Sequence, residues 1–184
     1  MKAVIAALFG LFLILPVGAG TLAGVTLSDR TKVGNIPLVL NGMGLRKKLF
    51  IRVYVGGLYL TQKEKSAAKV LGTDSPRRMV LSFIYNVDKE QMCDAWMEGL
   101  EDNTPNAQGE VAGNFRTLCT WMDGVEKGQQ IVLTYIPGEG THVEVAGQAK
   151  GILSGKATAD AILSTWIGPN PGPGDDFKKA VLGG

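Results

Sequence analysis

The chain has 184 residues, enough for one sizeable core, and no linker-like stretch divides it. Lys and Arg total 19 against 17 Asp and Glu, a balance too even to imply nucleic acid as a partner. A single histidine leaves no support for a histidine metal cluster or a Ser-His-Asp site.

Met1-Lys2 is followed by an apolar run from Ala3 to Val17, and then by the small residues Gly18-Ala19-Gly20. A short basic start, a short apolar run and small residues beyond it describe a secretory leader. The run is shorter than the ~20 residues a membrane span needs. Residues 1–20 are therefore expected to be a cleaved signal peptide and 21–184 the folded domain, exported to the periplasm or beyond with no membrane span. That compartment is oxidising.

Val25 to Leu40 holds two short strand-like pieces, punctuated by Ser28-Asp29-Arg30 and Gly34-Asn35-Ile36-Pro37 and economically joined by hairpins. Asn41-Gly42-Met43-Gly44 reads as a glycine-broken turn. After it comes a long strand through Phe50-Ile51-Arg52-Val53-Tyr54-Val55 to Leu60. Ile51, Val53 and Val55 share a parity that should face a core; Phe50, Arg52 and Tyr54 share one suited to a covered surface that meets something polar. Gly56-Gly57 implies a bulge or a close backbone approach.

A short helix is expected over Gln62 to Leu71, ended by Gly72, and a strand from Arg78 to Tyr85. Asp88 is a plausible N-cap, with Gln91 completing a capping box. Met92, Ala95, Trp96 and Leu100 then recur at helical spacing until Asn103-Thr104-Pro105. A second helix, Gly109 to Met122, carries Val111, Phe115, Leu118 and Met122 on one face. Strands return at Gln130 to Ile136 and His142 to Ala146, with a further short piece at Gly151-Ile152-Leu153. Helices Ala157 to Trp166 and Asp175 to Val181 close the chain around a Pro/Gly loop, Gly168 to Gly174. This order argues for α+β: a mainly antiparallel sheet with helices gathered on one face. His142, out of parity with Val143 and Val145, should face solvent. Gly42-Met43-Gly44 lacks the third glycine of a dinucleotide fingerprint, and there is no Walker-type loop, so neither cofactor nor metal is expected.

Gly42-Met43-Gly44-Leu45-Arg46 followed by Phe50-Ile51-Arg52-Val53-Tyr54-Val55-Gly56-Gly57-Leu58-Tyr59-Leu60 resembles the chalcone isomerase-like family, particularly its bacterial exported branch. Tyr135-Ile136-Pro137-Gly138-Glu139-Gly140-Thr141 and Ala161-Ile162-Leu163-Ser164-Thr165-Trp166-Ile167-Gly168 with Pro171, Leu182 and Gly183 extend the resemblance in family order. It implies a large antiparallel sheet under a helical layer with a ligand cleft between them. In the enzymes of that family, which close a hydroxychalcone to a flavanone, the position of Arg46 is an arginine that steadies negative charge on the substrate. The position of Tyr54 is a threonine there, and a tyrosine near the next helix completes the network. Here that helix begins Lys89-Glu90-Gln91, and Tyr85 is only an approximate substitute.

An arginine–tyrosine pair is instead what fatty-acid-binding members of the superfamily use to hold a carboxylate. A guanidinium offers donors in a fork that matches a carboxylate, and a phenol adds one more. The resemblance thus implies a non-catalytic domain that binds a small apolar acid through Arg46 and Tyr54, its tail lying against Phe83, Trp96, Phe115 and Trp121. The alternatives are an isomerase-type intramolecular lyase using Arg46 and Tyr54, and an interaction module whose cleft has closed. Cys93 and Cys119 fall on the two central helices. If those pack antiparallel about Asn103–Pro105, the cysteines sit at similar heights, about nine and thirteen residues from the turn, and an exported pair can oxidise.

Overall fold

A computed structural model describes residues 18–184; Met1 to Val17, the body of the expected leader, lie outside the described residues. Two strands, β1 (Ala19–Leu22) and β2 (Val25–Ser28), form a separate hairpin. Strands β3 (Arg30–Val33), β4 (Ile36–Lys48), β5 (Ile51–Leu60), β6 (Arg77–Phe83), β7 (Gln130–Ile136), β8 (Gly140–Val145) and β9 (Gln148–Leu153) make one antiparallel sheet in chain order. The helices are α1 (Ala67–Gly72), α2 (Lys89–Asn103), α3 (Gly109–Trp121), α4 (Lys156–Ile167) and α5 (Asp175–Val181). The Asp88 cap forms as expected, its carboxylate accepting the Gln91 N–H.

The sheet separates two cores. On its helix face Leu58, Leu81, Phe83, Ile131, Leu133 and Val143 pack against Trp96, Phe115, Leu118, Ile162, Trp166 and Phe177. On the other face Leu38, Leu40, Tyr59 and Val80 meet Leu27 of the β1–β2 hairpin. The short piece at Gly151 to Leu153 is the second half of β9, and α1 starts only after Ser66, which caps it.

Two expectations need correction. Asn41 to Gly44 is no turn but the middle of the 13-residue β4. The chain reverses at Leu49-Phe50, between the paired Lys48 and Ile51. The glycines serve close approach instead. A Cβ on Gly42 would stand 2.1 Å from the carbonyl oxygen of Ala180, and one on Gly44 would be 2.8 Å from the Phe177 ring. Of the two readings of Gly56-Gly57, close approach holds and the bulge does not, since both pair regularly with β6. Gly56 lies under the Phe177 ring, while Gly57 faces Leu27 on the opposite side. The parity of β5 is also more divided than its sequence suggests, because Val53 is an extra residue between the Arg46↔Tyr54 and Lys47↔Arg52 pairs. Val55 is fully buried, but Ile51 is exposed.

A second irregularity carries more weight. Leu40 pairs with Tyr59 and Gly42 with Leu58, so Asn41 is the additional residue on β4. Leu38 and Leu40 therefore face the β1–β2 hairpin, while Gly42, Gly44 and Arg46 face the helices. Asn41 is itself buried and fully bonded. Its amide donates to the carbonyls of Glu64 and Val181, both at 2.9 Å, and accepts the Glu64 N–H at 2.8 Å. It ties β4 to the loop after β5 and to the end of α5.

Gly42→Ala should destabilise by about 1–3 kcal/mol, because backbone of α5 would have to move. Gly72→Ala, with open space around its added methyl, should be neutral or slightly stabilising. Denaturant midpoints compare the two, and equal midpoints would remove the close-approach role from Gly42.

Cys93 on α2 and Cys119 on α3 form a disulfide across the helix pair, with Cα atoms 4.9 Å apart. Closing a loop with a sequence separation of 26 should contribute about 3–4 kcal/mol on the chain-entropy model. The unreduced, denatured protein should resist thiol labelling, and reduction should lower the unfolding midpoint; two freely labelled thiols would show the bond absent.

Candidate functional site

Arg46 and Tyr54 are directly paired across β4 and β5, so their side chains leave the sheet on the same face. That face is the one under the helices. Tyr54 rests against Phe83, ring centroids 5.4 Å apart, and meets the edge of Phe177 at 6.0 Å. Its hydroxyl oxygen accepts the Trp166 Nε1–H at 3.0 Å. The bond orients the phenol and leaves its own proton free to donate. Burial pushes the Tyr54 pKa up to about 12, against smaller opposing effects of the Trp166 bond and the Arg46 charge. The hydroxyl is therefore a neutral donor at any physiological pH.

Arg46 stands at the rim, partly exposed. Its Nη1 donates to the carbonyl of Gly172, in the loop between α4 and α5. That loop is anchored at its base. Asn103 donates to the carbonyl of Asn170 at 2.8 Å and accepts its N–H at 2.9 Å, and Lys178 donates to the carbonyl of Gly168 at 2.7 Å. An arginine with a forked set of donors, an oriented phenol and a covering loop lie together at this end of the sheet, a donor set that suits one small anion.

The remaining candidates divide. Phe83 stands beside Tyr54, its register partner on β6. Trp96 joins the group through Trp166, edge to face at 5.2 Å, and Phe115 is one ring further in, 6.5 Å from Trp96. All three are buried in the helix-side core. Trp121 takes no part in this chain of rings; it covers Gly151 on β9, where a Cβ would come within 2.7 Å of it. His142 is partly exposed and bonded to Glu139 at 2.8 Å, consistent with its expected outward face. Tyr85 is exposed just beyond β6.

Two participants are not singled out by sequence reasoning. Trp166 reads as a packing residue, and only its indole N–H, aimed across the fold at Tyr54, makes it a positioning group. Phe177 gives no local signal except the glycines at 44 and 56 that make room for it.

Between sheet and helices lies a cavity of ≈ 20 Å³. Leu58, Met79, Leu133, Ile162 and Trp166 line it, with the polar Thr141. That is room for about one water. The buried Thr141 hydroxyl has no hydrogen-bond partner among the described residues. Trp166 thus stands between the Arg46–Tyr54 end and this cavity.

Comparison with known proteins agrees with this architecture. No curated protein matches the chain. Among solved structures it is similar in fold to a fatty-acid binding protein of Arabidopsis thaliana, with a TM-score of 0.70 and 16% sequence identity over 90% of this chain and 96% of that one. The family model described as chalcone isomerase-like matches residues 19–183. With the curled seven-stranded sheet and its helical layer, that match makes the chain a member of the chalcone isomerase-like family.

Proposed function

We propose that this is an exported, non-catalytic chalcone isomerase-like domain that binds a small apolar acid of the fatty-acid type, with Arg46 and Tyr54 holding the carboxylate. The observation that carries it is the direct pairing of Arg46 with Tyr54 on the helix face, with the Trp166 N–H turning the phenol so that its proton is free. The carboxylate would replace the Gly172 carbonyl on Arg46. Exchange favours the ligand, because a carboxylate carries a full opposite charge and accepts two parallel bonds from the guanidinium fork, where the neutral Gly172 carbonyl accepts one. The likeness to a plant fatty-acid binding protein supports the same ligand class. Tyr54 in place of the enzymes' threonine, and Lys89-Glu90-Gln91 where they carry a tyrosine, argue against isomerase chemistry.

Export is supported by Met1-Lys2, the apolar run to Val17 and the Cys93–Cys119 bond, which persists in an oxidising compartment. Removal of the leader before Ala19 would keep β1 whole, since the strand starts there. Intact mass from the native compartment should lack the first 18 to 25 residues. A full-length chain in the cytoplasm would end the export proposal.

One observation favours a second reading, an interaction module with a closed interior: the ≈ 20 Å³ cavity is too small for an acyl chain. Under the binding proposal the tail enters only when Phe177, Trp166 or the loop around Gly172 shifts. Mass spectrometry of lipids retained after gentle purification separates the two.

Arg46→Ala should weaken binding of a medium- or long-chain fatty acid by about 2–3 kcal/mol, roughly 30- to 150-fold. Tyr54→Phe should cost less, about 1.5 kcal/mol, because it removes one donor to the carboxylate but no charge and keeps the ring. Arg46→Lys should restore affinity only in part, since an ammonium lacks the planar fork. The matching fatty alcohol should bind poorly and lose little further in Arg46→Ala. Titration calorimetry reads all four, and equal affinity for acid and alcohol would refute the carboxylate clamp.

A further inference from the structure

The turn between β4 and β5 is built from the wrong residues for a solvated turn. Two-residue hairpin turns take Asn, Asp or Gly where φ is positive. Here that position is Leu49, at φ 55°, followed by Phe50. Leu49 is 88% exposed and Phe50 101%, so neither side chain is explained by packing; Ile51, at 42%, extends the patch. Cations surround it. Lys47 and Lys48 precede the turn, Arg52 follows it, and all three are exposed. Tyr85, also exposed, lies at the same end, since the N–H of its neighbour Ile84 bonds the Val53 carbonyl at 2.9 Å.

Apolar side chains at a projecting tip, a collar of positive charge behind them and a tyrosine at the collar's level are the elements of an interfacial membrane anchor. The apolar groups enter the acyl boundary, the cations meet anionic headgroups, and the aromatic hydroxyl sits between. A protein partner would match the apolar tip but gives no reason for cations on both flanks. The acidic Asp175 and Asp176, at the start of α5, belong to the helix layer behind Arg46, because Phe177 lies over Gly44 and Gly172 meets Arg46. We propose that the Lys47–Arg52 hairpin tip docks the protein on a bilayer containing anionic phospholipid.

The docking also gives the Arg46 end a location. Arg46 lies two strand residues before Lys48, where β4 ends, about 7 Å along a strand rising ~3.4 Å per residue, and the Leu49-Phe50 turn projects beyond that. With the tip about 5–10 Å into the boundary, Arg46 lies at headgroup level. An amphipathic acid leaving the bilayer would meet the guanidinium first. Tip docking itself needs no carboxylate clamp, and the two fail separately: vesicle binding reads the tip, acid affinity reads Arg46.

The purified protein is sedimented with phosphatidylcholine vesicles, with or without phosphatidylglycerol. Binding is expected to the anionic vesicles, to fall with added salt, and to weaken about fivefold for each of Lys47→Ser, Lys48→Ser and Arg52→Ser. Leu49→Ser/Phe50→Ser should cut binding more than about tenfold while leaving the unfolding midpoint unchanged or raised, because these side chains are exposed. The variant keeps the whole N-terminus, so vesicle binding that survives in it comes from elsewhere and overturns the proposal. Failure of the wild type to sediment with anionic vesicles overturns it too. So does a dimer, seen by analytical ultracentrifugation, that the double substitution dissolves, since the tip would then be a self-association face. In Phe50→Trp, added emission that shifts blue on vesicles and is quenched by brominated lipid would confirm insertion; unshifted, unquenched emission from the introduced indole counts against it.

Discussion

Everything at the Arg46–Tyr54 end depends on how closely α5 lies on the sheet. Gly42, Gly44 and Gly56 form a floor without side chains, and the Phe177 ring and the α5 backbone occupy the space that methyl groups would fill. Glycine in a strand costs about 0.5–1 kcal/mol in conformational entropy. Burying one phenylalanine returns about 1.5–3 kcal/mol, and Asn41 adds the bond to Val181 that fixes the end of the helix. Once α5 is seated, the loop before it has little freedom. Its Gly172 carbonyl arrives at Arg46, and Trp166, at the other end of that loop, arrives at Tyr54.

Arg46 and Tyr54 are held in different ways, and their chemistry accounts for it. A guanidinium loses far more than a phenol when taken out of water, so Arg46 stays at the rim with a single backbone acceptor. Tyr54 can sit beneath the helices because it is neutral, and the burial there keeps it so. Under the proposed function, specificity for an acid would come from one charged group that is wet until the ligand arrives and one neutral group that is already oriented. Apolar capacity is the opposite case. The rings from Phe83 through Trp166 and Trp96 to Phe115 already satisfy one another, and a tail must displace some of that packing.

Much of the fold is legible in the sequence because period and punctuation carry it. The Asp88 cap, α5 from Asp175 to Val181 and β7 from Gln130 to Ile136 follow from local signals. The glycines of β4 mislead because their physical reason lies more than a hundred residues away, in α5. Local reasoning assigns them to a turn, while the actual turn, Leu49-Phe50, carries no turn residue at all. At the candidate site the family resemblance picks out Arg46 and Tyr54, but not Trp166 as a hydrogen-bond donor nor Gly172 as an acceptor. Those roles are created by tertiary placement, and no spacing rule encodes them. The cysteine pair lies between these cases: helical rise sets the two heights, and only the packing of α2 on α3 sets the facing.

Asn41 makes the two strands beside it unequally tolerant of changes in length. Leu38, Leu40, Gly42, Gly44 and Arg46 are evenly spaced in sequence, and in a regular strand all five would share one side. Arg46 is therefore assigned to the helices by counting, not by its own chemistry. Loss of Asn41 would restore a regular ladder with Leu40 still opposite Tyr59 and Gly42 still opposite Leu58, so the guanidinium would keep its side and only the amide ties would go. One residue gained in β5 between Leu58 and Tyr59 would do the reverse. It would give Asn41 a partner, and then either Arg46 or the pair Leu38 and Leu40 must cross the sheet. Among descendants of this chain, point substitutions would tune such a site, while a single insertion on the neighbouring strand could switch it off in one step.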